Sequence, residues 1–247
     1  DVIVGGALTD FLDGGAGDDV FEVNGFGGGI DEVTGGDGID RIVGSDGDDV
    51  IGLRTFSGAK TVETIDGGLG ENIIDGGAQS NRLDFSDTKL VNISKIVGGG
   101  GFDIITGSSG DDMIVGGALS DKLDGGAGDD VFEVSGSGDG LDEVTGGDGI
   151  DRIVGSDGDD VIGLRTFSGA KTVETIDGGL GENIIDGGAQ SNRLDFSDTT
   201  LVNISKIVGG GGFDTITGSS GDDVIVGGAL SDKLDGGAGD DVFEVNG

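Results

Sequence analysis

The sequence predicts an all-β chain, a parallel β-solenoid built from nonapeptide turn–strand units. Three observations carry this. One nine-residue pattern recurs along all 247 residues. There are 59 Gly and no Pro, so turns are plentiful and nothing interrupts a parallel ladder. The eighth position of the pattern is apolar in every copy, although only 34% of the chain is hydrophobic. Gly pairs at nine-residue intervals also exclude long helices.

Repetition exists at two scales. "DVIVGGALTDFLDGGAGDDVFEVNG" opens the chain and returns almost unchanged at 112 and 223, a period of 111 residues. The expected organisation is one continuous array over 1–247, with units 1–111 and 112–222 and a partial third unit 223–247. The two full units differ at nine positions. The first residue is Asp rather than Met, so the expectation is a piece of a longer chain.

Within unit 1 the elements run in order from residue 5: GGALTDFLD, GGAGDDVFE, the insert Val23–Asn24–Gly25, FGGGIDEVT, GGDGIDRIV and GSDGDDVIG. The insert LRTFS (53–57) precedes GAKTVETID, GGLGENIID and GGAQSNRLD. The insert FSDT (85–88) precedes KLVNISKIV and GGGGFDIIT, and GSSGDDMIV crosses into unit 2. Each nonad reads as a turn of six residues and a strand of three, with position 8 pointing inward and positions 7 and 9 outward. Phe11 becomes Lys122 and Lys233 in the other copies, so position 7 should face solvent. A nonad buries its apolar residue only by facing another and stacking on the next pair. Two nonads per coil give twelve coils and a rod of roughly 58 Å. Eleven nonads per unit would then place equivalent turns of successive units on opposite edges, unless the inserts complete or add a side. LRTFS is expected to form loops or a short cap.

Composition excludes much. The net charge of −36 repels nucleic acid and anionic lipid, and no apolar run reaches the ~20 residues of a membrane helix. Without His or Cys there is no Ser–His–Asp triad, thiol nucleophile or usual zinc site. No GxxxxGK[ST] phosphate loop and no EF-hand loop occurs. The chain is therefore expected not to be an enzyme.

The acids are regular. Position 6, where the turn meets the strand, is Asp10, Asp19, Asp31, Asp40, Asp49, Asp103, Asp112, Asp121, Asp130, Asp142, Asp151, Asp160, Asp214, Asp223, Asp232 and Asp241. Stacking of alternate turns would bring Asp10 to Asp31, Asp19 to Asp40, Asp112 to Asp130 and Asp223 to Asp241. Carboxylates at that spacing repel, and a hard divalent cation relieves this using oxygen ligands, with turn carbonyls completing the set. Ca²⁺ suits such a site better than Mg²⁺, which keeps its waters and an octahedron. Position 5, as at Asp18, is expected to meet water.

"GGAGDDVFE", "GGDGIDRIV" and "GGGGFDTIT" resemble the G-G-x-G-x-D-x-U-x nonad of the RTX, or haemolysin-type calcium-binding, proteins. The resemblance implies a right-handed β-roll, multiple Ca²⁺ ions between stacked turns, type I secretion, and folding outside a bacterial cell, in the medium or at the cell surface. Four consecutive nonads depart from it, with Glu63, Asn72, Asn81 and Ser94 at position 6, and Glu174, Asn183, Asn192 and Ser205 in unit 2. These should be calcium-poor, separating calcium-rich blocks at 10–49, 103–160 and 214–241. Asn72 and Asn81 are expected to close their turns by side-chain hydrogen bonds.

The leading expectation is a calcium-stabilised structural repeat of a long secreted adhesin, surface-layer or fibre protein, self-associating end-to-end or side-by-side. Alternatives are a secretion and folding module of an RTX enzyme or toxin, and a binder of a regular surface such as ice or glycan. The last would need aligned Thr, and Thr34, Thr106, Thr145 and Thr217 look scattered in sequence.

Overall fold

The computed structural model describes residues 1–23, 29–57, 62–134, 140–168 and 173–244. Asn24, Gly25, the starts of the nonads at 26 and 58, and their unit-2 counterparts lie outside the described residues. The described residues contain β-strands and turns and no helix. Most strands are three residues long, as a nonad with a six-residue turn requires. All their pairings are parallel, each strand pairing with one a full coil away. The chain is a parallel β-solenoid.

One face runs the length of the rod. Its eleven strands begin at Phe11–Ala16 and Asp31–Asp37 and end at Thr215–Thr217 and Lys233–Asp235. Ten spacings of ~4.8 Å make about 48 Å, shorter than twelve two-nonad coils.

The opposite side is built in relay. A first face carries Val2–Val4, Val20–Glu22, Arg41–Val43, Thr64–Asp66 and Lys89–Val91, and stops there. A second starts in the first half of Val50–Phe56, continues through Ile73–Asp75, Lys95–Gly100 and Met113–Ala118, and ends at Thr200–Val202. A third starts in the first half of Val161–Ser168 and ends at Val242–Glu244. Coils are two-sided where one relay face is present and three-sided where two overlap, from 41 to 106 and from 152 to 217.

The inserts create the third side. LRTFS is not a loop or cap. Val50–Phe56 spans two faces, its end pairing Phe56 with Leu83 on the through face. Leu53 and Phe56 are buried, and Phe56 stacks on Phe85 from the FSDT insert at 5.1 Å; Phe167 and Phe196 repeat this at 5.0 Å. Only Arg54 and Arg165 of these inserts' large side chains stay exposed. Because a side is added, Lys122–Ala127 lies on the same through face as its equivalent Phe11–Ala16, and units do not flip.

The core is the position-8 ladder. Twenty-one of its residues are buried, from Phe21 to Ile225, while Leu12 and Leu234 are half-buried in the outer coils and Phe243 in the last is exposed. Phe11 is 76% exposed, as its replacement by Lys implied.

Candidate metal centre

Each position-6 side chain turns back over its own loop. Gly must occupy position 1 for this: a Cβ on Gly14 would sit 2.6 Å from Asp19 Oδ2 and 2.5 Å from the Gly35 carbonyl stacked beside it. The carboxylate thus lies between its own turn and the turn one coil away.

The four expected stackings are present, in a specific form. The backbone N–H of Asp10 donates to Asp31 Oδ1 at 2.9 Å, Asp19 to Asp40 at 2.8 Å, Asp112 to Asp130 at 2.8 Å and Asp223 to Asp241 at 3.0 Å. The ladder continues from Asn81 to Asp103, Asp121 and Asp142, from Asp130 to Asp151, and from Asn192 to Asp214 and Asp232. Glu63 and Glu174 take the same place, accepting from Asp40 at 2.6 Å and Asp151 at 2.7 Å. In each of these accepting residues one carboxylate oxygen is therefore committed to the neighbouring coil.

The second oxygen separates the turns into kinds. In GSDGDD and GSSGDD the Ser at position 2 closes on it: Asp49, Asp112, Asp160 and Asp223 Oδ2 accept from the N–H of Ser45, Ser108, Ser156 and Ser219 at 2.5–2.6 Å, and from their hydroxyls. Asp10 Oδ2 accepts from Gly6 N–H at 2.5 Å. In the turns with Gly at positions 1, 2 and 4, Oδ2 of Asp19, Asp40, Asp103, Asp130, Asp151 and Asp214 is buried without a hydrogen-bond partner. These six residues are at most 2% exposed. Asp241, in the same kind of turn, lies in the last coil and is half-buried. A buried charged oxygen left unmet is costly.

The Asn turns reveal what surrounds that atom. Asn72 Nδ2 donates to the Leu69 carbonyl at 3.3 Å and, across the coil, to that of Asn92 at 3.0 Å; Asn183 repeats this with Leu180 and Asn203. Asn81 Nδ2 donates to Gly76 O at 2.9 Å and to Gln79 O. Turn carbonyls thus converge on the terminal atom of position 6. Asn satisfies them with N–H groups, as expected. Asp presents an acceptor instead, and a cation reconciles an acceptor with carbonyls. The donor set is oxygen only, so Ca²⁺ fits. No group of three or more carboxylates gathers among the described residues, so the candidate ligands are one Asp oxygen per turn with backbone carbonyls. Bound there, the ion would neutralise these carboxylates.

Protonation follows the same burial. Asp130 is pushed up to about 6, first by burial and then by the charges of Asp112, Asp151 and Asp111, which the Asp112 N–H only partly offsets. Burial also raises Asp31, Asp103, Asp112, Asp151 and Asp214 above the usual carboxylate value.

Two features escaped sequence reasoning. Position-5 carboxylates are exposed but not merely hydrated: Asp18, Asp48, Asp111, Asp129, Asp159 and Asp222 each accept a backbone N–H from the next coil at 2.8–2.9 Å, a second ladder on the rim. The closing role of Ser at position 2 was signalled by its replacement of Gly only in turns ending Asp-Asp.

A parallel β-solenoid whose glycine turns hold unmet carboxylate oxygens among their own carbonyls belongs to the class of cation-stabilised repeat proteins. The profile of the RTX calcium-binding nonapeptide repeat matches residues 1–25, 27–52, 58–87, 95–123, 120–141, 136–163, 169–198, 206–234 and 217–246. The chain belongs to this family and is a calcium-binding structural repeat module. No curated protein matches it.

Proposed function

We propose that this chain is an extracellular spacer whose rod forms when Ca²⁺ fills the consensus turns, as part of a long secreted adhesin, surface-layer or fibre protein, and that it performs no catalysis itself. The supporting observation is the set of six buried, unpartnered Asp oxygens, which penalise the fold until a cation arrives. At low calcium the acidic turns repel and the chain stays extended for export through a type I system. Extracellular modules bind Ca²⁺ with dissociation constants of about 10⁻⁴–10⁻³ M, so folding and binding are linked outside the cell. Near-identical units suit a part whose length matters more than its local chemistry. The same physics would serve a secretion and folding module beside an enzyme or toxin domain. Circular dichroism with calcium and with EGTA tests the reading: a β signal indifferent to chelation would overturn it.

One observation favours a second reading, a binder of a regular surface. The Thr residues scattered in sequence fall into one outward column on the through face, with Asp between them: Asp13 beside Thr34, Thr106 beside Asp124 and Asp124 beside Thr145, then Asp195, Thr217 and Asp235. Pull-down on ice or insoluble glycan, with Thr106→Leu and Thr145→Leu as controls, separates this reading from a plain spacer.

A further inference from the structure

We infer that Asn92 and Asn203 are acceptor sites for asparagine-linked glycosylation, one per 111-residue unit. Both begin an Asn-Ile-Ser triplet, the N-x-[ST] acceptor pattern. Among the described asparagines, no other is followed two residues later by Ser or Thr. The structure separates them from the rest a second time. Asn72, Asn81, Asn183 and Asn192 are buried, and each spends both Nδ2 hydrogens on backbone carbonyls. Asn92 and Asn203 are exposed, as are Ser94 and Ser205.

The local backbone presents the side chain. Asn92 has φ 54° and Asn203 φ 55°, left-handed values that Asn tolerates. They turn the corner between Lys89–Val91 and Lys95–Gly100 in unit 1, and between Thr200–Val202 and Ile204–Val208 in unit 2. Asn92 Nδ2 makes one hydrogen bond, to Asp66 Oδ1 at 3.0 Å, and Asn203 one to Asp177 Oδ1 at 2.9 Å. A glycosylated amide keeps one N–H, so the modified side chain can still make that bond. The carbonyl that Asn92 offers to Asn72 is untouched.

The donor class is a sugar carried on a phosphate leaving group. Asn92 Nδ2 forms a C–N bond to the anomeric carbon. The anomeric C–O bond breaks, the phosphate departs with the electron pair, and one amide proton passes to a base of the transferase. The glycan then stands off a three-sided coil, away from the consensus turns.

The test is peptide mass spectrometry of the protein from its native host. The expected result is sugar on the peptides holding Asn92 and Asn203 and none on Asn72, Asn81, Asn183 or Asn192. A single sugar identifies a nucleoside-diphosphate donor, and a preassembled block identifies a lipid-linked one. Asn92→Gln and Asn203→Gln should abolish the mass increments while the calcium-induced β signal persists. Unmodified Asn92 and Asn203 in the native protein, or equal modification of the buried asparagines, overturns the inference.

Discussion

Chelating calcium should divide the rod into segments of two kinds. Residues 41–112, which include the three-sided coils of unit 1, contain eleven buried apolar side chains among the described residues; the two-sided stretch 113–151 contains four. At the two-sided density, 41–112 would bury about seven. The surplus of about four, at about 1.5–3 kcal/mol each, adds about 6–12 kcal/mol over three coils. The two-sided stretch also suffers more on chelation: Asp130 and Asp151 each leave a buried carboxylate oxygen unmet in 113–151, against Asp103 in the longer 41–112, each costing about 1–3 kcal/mol and more when charged. Even a combined gap of about 3 kcal/mol per coil is a factor of over 100 in local opening. Hydrogen exchange with mass spectrometry, in calcium and then in EGTA, reads this directly. Amides in 62–100 and 173–211 should keep protection in EGTA on the order of 100-fold above those in 113–134 and 140–151. Equal exchange in the two kinds of segment, or earlier loss in 62–100, would refute the reasoning.

Four further outcomes are expected. Gly36→Ala places a Cβ on the Gly15 carbonyl at φ 111°, so calcium-induced β signal should fall sharply, whereas Gly47→Ala, with only Ser45 Oγ near at 3.8 Å, should leave it intact. Phe56→Ala empties the stack with Phe85 and should destabilise the three-sided coils by about 3–5 kcal/mol in thermal melts with calcium present. Asp130 binds its proton more tightly folded, at about 6, than unfolded, at 3.8; the calcium-free fold should therefore gain β signal as pH falls from 7 toward 4 and lose it as pH rises through about 6, while the calcium required for folding increases below pH 6. Deleting 53–57 removes the Thr55–Arg82 and Phe56–Leu83 pairings, so proteolysis should cut the through face at that coil and spare the equivalent coil of unit 2.

The solenoid, its nonad register and the stacking partners of its aspartates were legible because each follows from a period: Gly allows the turn, position 8 fills the core, and a partner lies one coil away. Three things were not. That Phe56 is core and not a flank depends on a third side, and a five-residue insert carries no period from which a side can be read. That Asp112 closes on Ser108 while Asp130 stays open depends on whether one residue of the turn carries a hydroxyl, a distinction visible only once Oδ2 is placed. The Thr column was hidden by the alternation of two- and three-sided coils, which makes a constant step in space an uneven step in sequence.

That alternation also accounts for the length of the unit. A strictly two-sided rod with an odd number of nonads exchanges its edges at every unit, so a calcium edge would face opposite ways in neighbouring copies. Adding strands at Thr55–Phe56 and Lys89–Val91 gives five whole coils per unit, from Phe11 to its equivalent Lys122 on the through face. The added side then becomes the new opposite face, and Lys89–Val91 is the last strand of the old one. Every unit therefore presents the same through face in the same direction, while its other side is renewed. Each renewal falls where position 6 is Glu63, Asn72, Asn81 or Ser94; Glu63 accepts from the neighbouring coil, and Asn72 and Asn81 close on backbone carbonyls through Nδ2. The coils that change the number of sides are those with the densest core, and four of the six unmet carboxylates, Asp19, Asp40, Asp130 and Asp151, lie outside them. Orientation is thus preserved by packing in the three-sided coils.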